Sequence, residues 1–595
     1  MNIQIATADL IIIIVYILAI VGLGCWVGIR KRGKDGEGKA YFLAGGTLTW
    51  PIIGLALFST NISTIHLVSL AQEGYVNGLA YGNFEWMAPF TLIILSLFFA
   101  PFYIRSRVST LPDFLEARYN RACRDWLAVL SIISAIFLHI GFSLYTGAVV
   151  LKGMFGLGIH FSIVLTAVLT GLYTIVGGLM AVVVTESIQT IILLLGAICI
   201  TAIAYFRIGG WAELSAAVDP IQLTVMRAAD DPSGLPWYSV LLGYPVIGIW
   251  YWCADQTIVQ RVLGAKDENH ARLGPLFAGF IKILPVFIFV LPGLICLGLV
   301  NQGKMDIHKM KNLEVGPALI VDEQTIPINP AQRVGLQGQT VVIGGKALSI
   351  EGKEAYAQNN VLYIDGMAKK DTLDTYSFMI RELLPVGLRG LVAAALLAAL
   401  MGTVSGALNS IATLFTYDLY KRWRPQTNDR ALVHIGRIAT FVAMIAAILW
   451  SPLLGRFESV FQGINSMISY IAPPITVVFL WGVLWKRASS RAAQITLYSG
   501  SVLGLIIFVL DWNKDTTGWN VPFMMSAFYL FAIGSVIMVL SSLAFPHTHT
   551  EESRRLVWNH PLEAVQGEPW RGLADYRFLA ALLAIVMILL YAMFI

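Results

Sequence analysis

Apolar residues run along this chain in long blocks of around 20, each ended by a short polar or basic stretch. A run of that length fits a helix crossing the hydrocarbon core of a bilayer. The pattern predicts fourteen such helices, at roughly 8–29, 50–72, 81–106, 124–152, 158–179, 181–207, 238–263, 274–300, 380–420, 431–452, 455–485, 491–511, 521–545 and 574–595. The first run, from Leu10, is too long for the apolar core of a cleavable signal and is read as a retained span. Residues 301–377 break the rhythm: they are polar and rich in Val, Ile and Gly. The runs Thr340–Ile343 and Val361–Ile364 within them have the composition of short strands.

Composition agrees with a membrane chain. Of the 595 residues, 57% are hydrophobic and 13% charged, about half the share of about 25% usual in soluble domains. Mean hydropathy is +0.71. A formal charge of +5 says little about nucleic acid here, because loop Lys and Arg report topology instead. The basic residues sort onto alternate connections. One set carries Arg30, Lys31, Arg32 and Lys34; Arg105, Arg107, Arg118 and Arg121; and Lys266 and Arg272. The same set continues with Lys421, Arg422 and Arg424; Lys486, Arg487 and Arg491; and Arg554, Arg555, Arg571 and Arg577. By the positive-inside rule this set is cytoplasmic, which puts both termini outside, extracellular or periplasmic. The insert 301–377 is long enough to cross regardless of charge and is also placed outside. The five cysteines are odd in number and lack metal spacing, so no disulfide framework is implied.

Ionisable and polar groups at membrane depth are costly and mark function. Ser59-Thr60-Asn61-Ile62-Ser63-Thr64-Ile65-His66 places six polar side chains in eight residues of an apolar run. Either the helix is broken there, with unwound carbonyls free to hold a cation, or the polar groups bridge packed helices. Glu85 lies a few residues into the third span, as a functional carboxylate or a rim group. Lys282 lies deep in the eighth, among Phe277, Phe280, Ile283 and Leu284 with Pro285 just after. Trp250-Tyr251-Trp252-Cys253-Ala254-Asp255-Gln256 combines rings with polar groups, as a sugar pocket or an interfacial aromatic belt would. Ala399 and Thr403, four apart, share one helix face. A carbonyl and a hydroxyl there suit a hard cation such as Na⁺, although small residues also make plain packing surfaces. No nucleophile–base pair, metal cluster or phosphate loop is visible, so an enzyme is not expected.

Several stretches resemble the sodium/solute symporter family, within it the sodium–glucose cotransporter branch. They are Leu57–Ser63, Phe84-Glu85-Trp86, Trp250–Gln256 with Val259-Gln260-Arg261, and Val386–Leu391. Asn409-Ser410 through Phe415–Asp418 and Ala472–Ile475 complete the set. The resemblance runs in order from the first span to about Arg487. It implies an all-α polytopic membrane protein with inverted five-helix repeats of the leucine-transporter type, 50–207 and 238–485. Around these lie an extra helix and cytoplasmic loop (1–49), an extracellular loop (208–237), the insert 301–377, and three C-terminal helices (486–595).

The resemblance further implies a substrate site of Asn61, His66, Glu85, Trp252, Lys282 and Asn465, gated by Phe84, Tyr251 and Phe461. Asn465 stands where the family has a glutamine, and Gly248 where some members have Asn or Ser. A sodium site is implied from the carbonyls of Ser59, Ile62 and Ala399 with hydroxyls at the positions of Gly402 and Thr403. Gly402 has no hydroxyl, so a carbonyl or water is expected in its place. A second sodium site, with Glu186, Ser405, Gly402 and Gly406 at its positions, keeps only Glu186 and Ser405 and is expected to be vestigial. The expected activity is sodium-driven import of a glucose- or galactose-like monosaccharide across a bacterial plasma (inner) membrane, by alternating access with one Na⁺ per sugar. The partners are then the sugar, Na⁺ and membrane lipid, with no nucleic acid. The alternatives are a symporter for inositol, an amino sugar or another small polyol, or a non-transporting sugar sensor or sodium channel.

Overall fold

The computed structural model describes residues 6–30, 41–231, 233–305, 375–456, 460–546, 549–566 and 569–595, together with seven strands between 318 and 364. The expected basic positions Lys31, Arg32 and Lys34, and the rest of the insert from 306 to 374, lie outside the described residues.

Helices dominate. In chain order they are α1 (Thr7–Arg30), α2 (Trp50–Asn61), α3 (Thr64–Asn77), α4 (83–105), α5 (Leu111–Arg118), α6 (121–155) and α7 (Ile159–Ile208). Then come α8 (237–254), α9 (Gln256–Leu263), α10 (268–301), α11 (Thr375–Leu383), α12 (388–423) and α13 (Asp429–Trp450). The last are α14 (Val460–Leu484), α15 (Ser490–Trp512), α16 (Phe523–Ala544) and α17 (Tyr576–Met593). The insert holds two antiparallel sheets. One orders Gln324–Pro327, Ala318–Val321, Thr340–Ile343 and Lys346–Ser349; the other orders Val334–Leu336, Ala355–Gln358 and Val361–Ile364. Both runs read as strands from the sequence are strands.

Eleven helices among the described residues are long and apolar enough to cross a membrane, against the fourteen predicted. The difference has a physical origin. Backbone breaks leave α2, α8 and α9 short, and α7 is two helices that follow one another without a gap across a kink at Gly178. Gly178 has φ 61° and ψ −163°, a conformation closed to side chains with a Cβ.

Two of the breaks set up the centre of the molecule. Between α2 and α3, Ile62 is extended (φ −77°, ψ 107°), which settles the reading of the polar run in favour of a broken helix. Between α8 and α9, Asp255 is extended (φ −87°, ψ 122°), and its carboxylate accepts from Thr257 N–H at 2.7 Å to cap α9. Wide π turns interrupt other helices at Leu95–Phe99, Ala135–Gly141, Trp250–Ala254, Val286–Val290 and Phe415–Tyr420. Such turns swing side chains off the regular helical face and recur at functional sites.

The small residues of α12 let neighbours approach closely, and this helix is the axis: 94% of its apolar window is buried, against 22% for α1. Glycines serve that crowding where α3 meets α10, since a Cβ on Gly293 would stand 1.9 Å from Ala71 O. Asp9 of α1 holds the start of α12, accepting from Gly387 N–H at 2.7 Å and Gly390 N–H at 2.8 Å. At one end, basic residues of several loops are tied together. Arg124 meets Asp113, Glu116 and Asp418; Arg422 meets Asp125; Arg118 donates to Gly482 O and Ser553.

Candidate functional site

The broken ends of α2–α3, the π turn of α8, the start of α4 and the first turns of α14 line a cavity of about 90 Å³. It is lined by Asn61, His66, Phe84, Glu85, Tyr251, Trp252, Phe461 and Asn465, all singled out from the sequence. Thr403 also reaches it. Lys282 does not line the cavity. Pro285 lacks the N–H that Ile281 O would accept in a regular helix, and α10 loosens at Lys282–Ile283. From that loosened turn the ammonium donates to both Glu85 and Asn61.

Lys282 and Glu85 are each 1% exposed, so their charges are taken from water and balanced by each other. Phe58 and Trp252 present ring faces to the ammonium at 6.0 and 5.6 Å. On the other side of Glu85, His66 Nε2 stands 3.9 Å from Oε1, beyond hydrogen-bond range. Ser63 N–H donates to His66 Nδ1 at 3.2 Å, which assigns the proton of the neutral ring to Nε2, on the carboxylate side. Asn61 also donates to Tyr251 Oη at 3.1 Å. One linked array therefore presents a carboxylate, an amide and a phenol, with an imidazole beside it, the mixture of donors and acceptors that vicinal hydroxyls require. Asn465 donates one amide N–H to Phe461 O at 2.8 Å and is held in register on α14.

Aromatic rings cover the array. Phe84 and Phe461 pack edge to face at 4.8 Å, with Tyr81 against both. Tyr244 Oη donates to Phe84 O at 2.9 Å and fixes that turn. Tyr251 stacks edgewise on Trp252 at 5.2 Å.

The residues implied for sodium meet where α2 ends beside α12. Thr403 Oγ1 lies 3.1 Å from Thr60 O and 3.3 Å from Ala399 O. A hydroxyl that donates its proton to a carbonyl keeps its lone pairs for a cation. Ser59 Oγ is buried without a hydrogen-bond partner among the described residues, and the extended backbone at Ile62 ends the helical bonding of α2. Neutral oxygen donors of this kind fit Na⁺. Glu186 is engaged elsewhere: its Oε1 lies 2.6 Å from Arg261 Nη2 and accepts from Thr60 Oγ1 at 3.0 Å. Ser405 Oγ donates to Gly402 O at 2.9 Å. A Cβ on Gly406 would stand 2.4 Å from Arg261 Nη2, so the guanidinium fills the space that a larger residue would take.

The structure adds residues that the sequence reading lacks. His139, on the π turn of α6, lines the cavity and meets Asp255 with Nε2 at 3.0 Å from Oδ2. An imidazole inside the apolar run 124–152 was the visible sign. Ser143 and Tyr244 also line the cavity, and neither carries a sequence signature of its own.

Comparison with known proteins points the same way. The model of the sodium:solute symporter family matches residues 41–328 and 357–500. Sodium/myo-inositol cotransporter 2 of Sus scrofa is 32% identical over 85% of this chain and 70% of its own length. A sodium/mannose cotransporter of Bos taurus is 31% identical over 93% and 89%. Sodium/glucose cotransporter 1 of Oryctolagus cuniculus is 29% identical over 93% and 81%. Among solved structures, a substrate-bound, outward-open Na⁺-coupled sialic acid symporter superposes with a TM-score of 0.70. It covers 92% of this chain and 100% of its own, at 19% identity, and so speaks to the fold.

Proposed function

The chain belongs to the sodium:solute symporter family, and from that premise we propose that it imports a glucose- or galactose-like monosaccharide, one Na⁺ per sugar. As a multi-pass membrane protein of this family it is a transporter coupled to Na⁺, not an enzyme. The relatives named for inositol, mannose and glucose share its ancestry, so the substrate has to be argued from the cavity.

The observation that carries the reading is the Asn61–Lys282–Glu85 array beside His66 and Asn465. A carboxylate can accept from two hydroxyls while amides both donate and accept, and Trp252 offers a ring face to sugar C–H groups. In this reading Phe84 and Phe461 form the outer lid and Tyr251 the inner one. The break at Ile62 links the two ligands, because Asn61 serves the sugar while Ser59 and Ile62 serve the ion. Sodium held between α2 and α12 then orders the segment that carries Asn61, which raises sugar affinity, and the linkage is reciprocal. The cytoplasmic side is the one that gathers Arg118, Arg124 and Arg422, with both termini outside.

Uptake of radiolabelled sugars into proteoliposomes, with and without an inward sodium gradient, tests the reading. A panel of glucose, galactose, mannose and myo-inositol should show sodium-dependent accumulation of a hexose. Accumulation of myo-inositol alone would move the assignment to a polyol. Sugar binding without flux would make the protein a sensor.

A further inference from the structure

Ser59, Gln189 and Gly402 meet where α2, the second half of α7 and α12 cross. A Cβ built on Gly402 would stand 3.0 Å from Ser59 Oγ, 3.3 Å from Gln189 Oε1 and 3.6 Å from Ser59 O. Three oxygens from two helices therefore converge on the gap left by the missing side chain. Ser59 Oγ and both amide atoms of Gln189 are buried and, among the described residues, have no well-aligned hydrogen-bond partner. The phenols of Tyr16 and Tyr173 are the polar neighbours of the amide, each at the margin of hydrogen-bonding reach. Tyr173 Oη instead donates to Met401 O at 3.2 Å. A buried amide with no partner is costly, and its place in the fold calls for something to fill that role.

We propose that Gln189 is a sodium ligand in this protein, its amide oxygen supplying the donor that Gly402 lacks. The assignment rests on the reading of Ser59, Ile62, Ala399 and Thr403 as the sodium site. The chemistry suits the ion. An amide oxygen is a hard, strongly dipolar donor, and its longer side chain reaches the gap from the opposite wall. Every donor in the completed site is uncharged: backbone carbonyls, the hydroxyls of Ser59 and Thr403, and one amide. Such a site holds a monovalent cation without itself taking up a proton; the titratable groups packed around it are Glu186, paired with Arg261, and the phenols of Tyr16 and Tyr173.

The test is equilibrium binding of radioactive sodium to the purified full-length protein without sugar, alongside its thermal stability. Gln189→Leu should weaken sodium binding at least tenfold, and adding Gly402→Ser to that variant should restore most of the loss. Gln189→Glu should bind sodium with an affinity that falls as the new carboxylate is protonated, unlike the parent. Gly402→Ala, which fills the gap with carbon, should lose binding that Gly402→Ser keeps; these last three variants decide the matter even if Gln189→Leu fails to fold. Thr403→Ala separates the two levels of the argument. If it abolishes sodium binding while Gln189→Leu binds as the parent does, Gln189 is a packing residue and the proposal is overturned. If both bind sodium as the parent does, the ion site itself lies elsewhere. A Gln189→Glu variant with pH-independent affinity would also overturn the proposal.

Discussion

The Glu186 carboxylate lies 2.6 Å from the Arg261 guanidinium, and neither side chain is exposed. Removing one member of such a pair leaves the other charge buried and unbalanced, at a cost of about 3–5 kcal/mol. Glu186→Gln should therefore lower the melting temperature of the purified protein sharply. Exchanging both residues for neutral ones should recover most of that loss. Equal stability of the single variant and the parent would mean that water reaches the pair.

The same pair bears on ion coupling. Arg261 supplies a fixed positive charge to Glu186, which leaves that carboxylate no need of a sodium ion. One Na⁺ per sugar is the expected ratio. One charge crossing 100 mV yields about 2.3 kcal/mol. A tenfold sodium gradient adds about 1.4 kcal/mol, which together limit accumulation to about 500-fold. Reversal potentials in proteoliposomes measure the ratio directly. A value near two would refute the single-ion reading.

In the proposed sugar site Glu85 lines the cavity and Lys282 holds its carboxylate from behind. Glu85→Ala and Lys282→Ala should each weaken sugar binding by about 1.5–3 kcal/mol, the range for hydrogen bonds to charged groups. Calorimetry on the purified variants, with the sugar that the uptake panel identifies, gives the number. Unchanged affinity in both would remove the pair from the substrate site.

Asn465 is one methylene shorter than glutamine and is tethered to Phe461 O. Asn465→Gln lengthens its reach across the cavity and should reorder the preference among glucose, galactose and amino sugars. Competition against a labelled sugar reads that order. An order that does not change would show that Asn465 does not touch the hydroxyls that distinguish these sugars.

What the sequence made legible follows from the range over which each signal acts. Apolar blocks and the polar cluster at 59–66 are local, and each has its counterpart in a span or a break. Asn61, His66, Glu85 and Asn465 do meet around one cavity, although only the family resemblance related them in advance. His139 carries no sign of Asp255, which is 116 residues away, and Glu186 none of Arg261, 75 residues away. Gln189 is harder still to read, because its interest lies in the partner it lacks. Continuous helices are fewer than apolar runs for a related reason: an apolar run marks membrane depth, whether or not the helix through it is continuous.

Asp9 enters the membrane long before its partners exist. Gly387 follows it by 378 residues, which at about 5–20 residues per second is about 20–75 s of translation. Asp9 stands in the first turn of α1, where headgroups and water can solvate a carboxylate through that interval. Only after residue 390 has been made can the backbone of α12 take over its solvation. α1 packs along α7 as well, so what waits for the middle of the chain is the anchoring of Asp9 rather than the placing of the whole helix.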